Sequence, residues 1–145
     1  MIKEFQRLKE VESDRLKLQW NFQRILAKVN YKIHTDAIKA KLIPITLSSK
    51  QTSIIYANEA DVLNMALFGK TAKQWRDENP NEKGNIRDFA TIQQLVVLSN
   101  LESINAMLIH QNVSQKERLI QLNSLAITQI KSLVENTTIK KLENE

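Results

Sequence analysis

Only four residues in this chain of 145 force the backbone to turn or stop: Pro44, Gly69, Pro80 and Gly84. A many-stranded sheet needs a tight turn every eight to twelve residues or so, and so few breakers cannot supply them. Leu, Ile, Lys, Gln, Glu and Ala dominate the rest, and most of these residues favour helix. The expected fold is therefore all-α, with long helices.

Residues 2–33 read as one long amphipathic helix. Ile2, Phe5, Leu8, Val11, Leu18, Phe22, Ile25, Val29 and Ile33 recur in three- and four-residue steps, with Arg15 in the gap between Val11 and Leu18. Those steps place them on one stripe, and Leu16, Trp20 and Leu26 widen it. Such a helix is about 48 Å long at 1.5 Å per residue, too long to be buried along its length by a domain of this size. Part of it projects or pairs with another chain. Ile2 and Phe5 are core-type residues with no Ser, Thr, Asp or Asn cap before them, so the helix starts in mid-stride, as it would if an upstream segment were missing.

His34-Thr35-Asp36 is expected to end this helix and cap a short one, Ala37 to Leu42, which Pro44 stops. Residues 44–57 read as a linker with a brief extended piece. Asn58 caps a helix from Glu59 to Phe68, terminated by Gly69. Thr71 and Gln74 have capping-box form and start a short helix through Glu78. Gly84 lies in a turn. A second long helix spans 88–111, Asn112-Val113 breaks it, and Ser114 and Glu117 repeat the capping-box form at the head of a third. The short break predicts an antiparallel helical hairpin. The organisation expected is a basic helix with its connector (1–43), a linker (44–57), a helical domain with a small central corner and the hairpin (58–136), and a frayed tail (137–145). Phe22, Trp75, Leu95, Leu98 and Leu101 are the expected core.

Charge is unevenly placed. Residues 1–50 hold eleven Lys and Arg against five Asp and Glu; residues 51–100 hold five against six, and 101–145 five against five. A localised basic segment suits a polyanion. The stretch from Arg15 to Lys41 is the cleanest, so Arg15, Lys17, Arg24, Lys28, Lys32, Lys39 and Lys41 are the expected phosphate contacts. The alternative is a solvated helix face, and Glu4, Glu10, Glu12 and Asp14 favour it over the first turns. Helix, glycine turn and short helix over 61–78 also has helix-turn-helix outline. Lys70 stands where that turn buries an apolar residue, and Asp77 and Glu78 repel DNA, so Trp75 reads better as a core anchor.

No set of residues assembles a nucleophile, a base and an orienting acid. His34 and His110 stand in no metal-ligand pattern and read as helix-end or surface histidines. A hairpin allows Glu102 and Glu117 to meet across it, but paired carboxylates are common on protein surfaces and make no site by themselves. No glycine-rich phosphate loop is present. No cysteine occurs, which excludes disulfides and thiolate metal sites and fits a reducing cytosol. No apolar run approaches the roughly 18 residues of a membrane span. The expectation is a non-enzymatic cytoplasmic protein with no cofactor, no membrane span and no small-molecule substrate.

The stretches IKEFQRLKE, NYKIHTDAIKAKLIP, EADVLNMALFGKTAKQWRDENP and KGNIRDFATIQQLVVLSNLESINA together resemble the C-terminal part of bacterial KilA-N domain proteins, up to about Lys131. KilA-N is a DNA-binding domain of phage and bacterial proteins, some of them regulators or antirepressors. The resemblance implies DNA-binding or regulation in a phage or mobile-element setting. In that family the DNA-binding domain lies mostly upstream of the matched segment. The chain would then be its helical extension or a truncated product, and no DNA-contacting residue carries over. The alternative is a protein-interaction or oligomerisation module that makes no DNA contact, with self-association through the helices.

Overall fold

A computed structural model describes residues 2–135. The expected frayed tail at 137–145 lies outside them. Five α-helices follow in order: α1 (Ile2–Leu42), α2 (Ser49–Phe68), α3 (Ala72–Glu78), α4 (Ile92–His110) and α5 (Gln115–Glu135), with a 3-10 turn at Ile86–Phe89 before α4. The described residues are all-α, as the scarcity of breakers requires.

Capping chemistry sets the helix starts. Ser48, Thr71 and Thr91 each accept from the backbone N–H three residues on, and Gln51, Gln74 and Gln94 return the bond to the cap's own N–H. The Ser48 box explains why α2 begins at Ser49 although the sequence pointed to Glu59. The β-branched residues between them sit inside the helix, leaving only residues 43–48 as connection. The box at Thr91 likewise starts α4 at Ile92, so Phe89 falls in the 3-10 turn, where it stacks on Trp75 with ring centroids 5.3 Å apart. Ser114 Oγ accepts from Glu117 N at the head of α5.

The expected break at His34-Thr35-Asp36 is absent, and α1 runs unbroken through it. Each polar side chain there is used within or against the helix. Thr35 Oγ1 donates to Lys32 O, Asp36 pairs with Lys32 at 3.2 Å, and His34 is buried against α4. None is left to cap a new helix.

Gly69 ends α2 in the left-handed region (φ 75°), its N–H donating to Met65 O. A Cβ there meets nothing within 4 Å. Gly69→Ala should therefore cost about 1 kcal/mol through backbone strain alone. Urea unfolding checks this, and an unchanged midpoint would refute the strain argument.

The main core joins α2, α4 and α5 through Val62, Leu63, Ala66, Val97, Leu98, Leu101, Leu108, Leu122 and Ala126. A smaller one joins α1 to α4 through Ala37, Ile38, Ala106 and Ile109. Of the five expected core residues, Leu98, Leu101 and Trp75 are buried; Phe22 and Leu95 are not, at 61% and 44% exposed. Leu95 sits near the start of α4, one turn before Leu98. Phe22 lies where α1 has already left the body.

Taken alone, α4 is long and apolar enough to cross a bilayer, with a mean hydropathy of 1.2 over 18 residues. This departs from the expectation that no segment reaches that length. Glu102 is its one residue among Asp, Glu, Lys and Arg, and its Leu, Ile, Val, Ala and Met residues outweigh the Gln, Ser and Asn residues that interrupt them. Half of that window is buried inside the protein.

Candidate functional site: a buried polar node and a projecting helix

Four buried polar side chains, one from each long helix, meet in a line. Arg118 of α5 donates from Nη1 to both carboxylate oxygens of Glu59 on α2, at 2.5 and 3.0 Å. The same nitrogen donates to Asn105 Oδ1 on α4 at 2.9 Å, and Arg118 Nε donates to Val113 O at 3.1 Å. Asn105 Nδ2 in turn lies 2.8 Å from His34 Nε2 on α1. None of the four residues is more than 4% exposed.

The order of this chain fixes its protons. Because Arg118 can only donate, Asn105 must turn its oxygen to it and its NH₂ to His34. His34 Nε2 is then an acceptor, and the ring proton sits on Nδ1. A protonated His34 would set N–H against N–H. Burial, then the charges of Arg87 and Arg118, lower its pKa to about 4. His34 is thus neither a helix-end nor a surface histidine. His110 is exposed at the last position of α4.

Glu102 is a second buried carboxyl. Its nearest cation is Arg87 Nη1 at 3.8 Å, and its Oε2 has no partner. Burial raises its pKa to about 7, with Arg87 pulling the other way. Arg87 Nε also reaches Asn64 Oδ1 at 3.4 Å. The expected meeting with Glu117 does not carry this carboxyl, since Glu117 is exposed. Glu102, His34, Tyr31 and Tyr56 border a cavity of about 60 Å³. That is far below the roughly 300–1,000 Å³ of small-molecule sites. A more open cleft of about 260 Å³ beside Trp75 and Phe89 has Lys70 as its only charged group. Lys70 is paired with Glu78 at 2.6 Å, which also accounts for the charge that the helix-turn-helix outline left unexplained. Among the described residues, no group of three or more His, Asp or Glu could hold a metal ion.

In the sequence His34 reads as a helix-end or surface histidine and Glu59 as the start of a helix, while Asn105 and Arg118 draw no reading. A signal existed. Glu59 stands in register with Val62, Leu63 and Ala66, Arg118 with Leu122 and Ala126, and Glu102 and Asn105 with Leu98, Leu101 and Leu108. A charged residue on an apolar stripe asks for a buried partner.

The other distinctive surface is α1. Every residue from Lys3 to Val29 is exposed. That is about 40 Å of helix. Leu8, Val11, Leu18, Phe22, Ile25, Leu26 and Val29 are 46–70% exposed along it. Of the seven expected basic contacts, Lys17, Arg24, Lys28, Lys32 and Lys39 are exposed on one side of α1, with Lys32 paired to Asp36 at 3.2 Å. Arg15 pairs with Glu12 at 2.6 Å and lies in the apolar stripe, and Lys41 stands on a different side from both.

No family model matches the chain, and neither a curated protein nor a solved structure matches it. A kinship with KilA-N proteins over nearly the whole chain finds no support there. The expectations of a phage setting and an antirepressor-like role hung on it, that of DNA-binding rested on it and on the basic charge of α1, and none of the three is carried further.

Proposed function

We propose that this chain is a non-catalytic oligomerisation module. α1 is its recognition element, and α2 to α5 form the body that anchors it, with α4 and α5 as an antiparallel hairpin and α3 at a corner. The observation that carries this reading is the uncovered apolar stripe on a helix that has left its own domain. An isolated helix is marginal in water, and most helical stability in proteins comes from packing an apolar face. A contiguous apolar surface of this extent marks an interaction site.

The stripe cannot be covered by its own body. Asn30, His34, Ala37 and Ile38 define the side of α1 that packs on α4. At 3.6 residues per turn, Leu8, Leu18, Phe22, Ile25 and Val29 lie roughly a third of a turn away from that side. The face used for assembly is therefore distinct from the face used for folding.

Sedimentation equilibrium tests the proposal. The chain should sediment above the 16.8 kDa of one copy. Phe22→Glu with Ile25→Glu should weaken assembly at least about 100-fold, because two apolar contacts are lost and two charges enter the seam. The body should unfold as before, since both side chains are exposed. A wild-type chain that stays monomeric from micromolar to near-millimolar concentration would end this reading.

A further inference from the structure

The stripe carries more than the tendency to associate, because its spacing and charges select an arrangement. Leu8, Val11, Arg15, Leu18, Phe22, Ile25, Val29 and Lys32 follow steps of 3, 4, 3, 4, 3, 4 and 3 residues. That is a strict heptad with Leu8, Arg15, Phe22 and Val29 at a and Val11, Leu18, Ile25 and Lys32 at d. We infer that the occupant of this face is a second copy of the same chain, paired antiparallel, with residue 18 opposite residue 22 of the other copy. The inference rests on the assembly reading above.

Three observations single out this register. First, an in-register parallel pair would stack Arg15 on Arg15 and Lys32 on Lys32 inside the seam. The antiparallel pair sets Arg15 against Ile25, with its guanidinium still on Glu12 as it is in the single chain, and Lys32 against Leu8 at the end. Second, in an antiparallel pair each flanking position faces its own kind. Asp14 then meets Lys28 of the other copy twice over, Phe5 meets Ile33, and no like charges face one another. The parallel pair offers Arg7 to Glu12 instead, but Glu12 is already held by Arg15. Third, sliding the antiparallel pair by one heptad either way costs two layers. One slide opposes Arg7 to Lys28, and the other buries Arg15 against Lys32.

The size is sufficient. With on the order of 100 Å² still open on each of about eight apolar side chains per copy, closure would bury roughly 1,600 Å², the area of a standard stable interface. The consequence is a two-ended rod. Each body leaves its helix near Asn30, opposite residue 10 of the other copy, so the bodies sit about 30 Å apart along the axis. A parallel pair would hold them side by side.

The native chain has no cysteine, so single cysteines report the arrangement cleanly. An oxidised mixture of Leu18→Cys and Phe22→Cys chains should give a disulfide-linked dimer, and neither variant alone should. Self-linking by each variant alone would establish a parallel pair and overturn the inference while leaving assembly intact. Lys39→Cys keeps the stripe whole and covers the case in which a seam cysteine weakens pairing. Spin labels there should lie roughly 55–60 Å apart along the axis if the copies are antiparallel. Labels within about 20 Å would overturn the inference.

Discussion

Arg118→Met should destabilise the chain by about 3–5 kcal/mol, a large share of the roughly 5–15 kcal/mol of a typical domain. The substitution fills similar space but leaves the Glu59 carboxylate buried with only the long 3.5 Å contact from Gln115. It also strips Val113 O and Asn105 Oδ1 of their donor. Glu59→Leu alone should cost nearly as much, by burying an unpaired guanidinium. Arg118→Met combined with Glu59→Leu should be more stable than Arg118→Met by itself, because both charges leave together. Urea unfolding of the three variants gives the cycle. Strictly additive losses would mean that Glu59 and Arg118 do not act as a pair.

The second large effect is one of pH, and the two groups concerned work against each other. Glu102 has its folded pKa raised from 4.5 to about 7. The folded state holds that proton more tightly, so the stability linked to Glu102 is complete below pH 4.5 and is lost as pH rises through 7. His34 has its folded pKa lowered from 6.5 to about 4. Its contribution is complete above pH 6.5 and is lost as pH falls through 4. Between 4.5 and 6.5 the slopes are opposite, and in the wild type they offset each other.

Single substitutions unmask each slope. Relative to wild type, Glu102→Gln should gain stability as pH rises from 4.5 to 7, on the order of 2 kcal/mol over the window. His34→Gln keeps an acceptor for Asn105 Nδ2 but does not titrate. Relative to wild type it should gain stability as pH falls from 6.5 to 4, by a similar amount. Thermal melts across pH 4–8 read both. Parallel pH profiles for wild type and Glu102→Gln would show that Glu102 is not shifted.

The elements were far more legible than the site. Ser, Thr and Gln at capping-box spacing announce helix starts, because the bonds they make are local and need no other part of the chain. Thr71 with Gln74 and the terminator Gly69 were readable for this reason. Ser48 with Gln51 has the same spacing, but it lies inside the stretch that reads as a linker for want of a clear period. Thr35 and Asp36 carried a capping signal that the folded helix does not use. The difference is tertiary: His34 docks on Asn105 and holds α1 straight through the position where its sequence allowed a stop.

The heptad from Leu8 to Lys32 belongs to the sequence alone. Spacing on a helix is set by 3.6 residues per turn whatever surrounds it, so the stripe and its order of charges could be read at once. Which residues that stripe would touch could not. Phe22 and Leu98 are both large apolar residues on periodic helices, yet one stands in solvent and the other in the core. Only the packing of α1 on α4, through Asn30, His34, Ala37 and Ile38, decided that the body turns a different side of the helix inward. The same holds for Glu59 and Arg118, 59 residues apart in the chain. Their chemistry demanded partners once buried, but a buried charge names its partner only when the helices are in place.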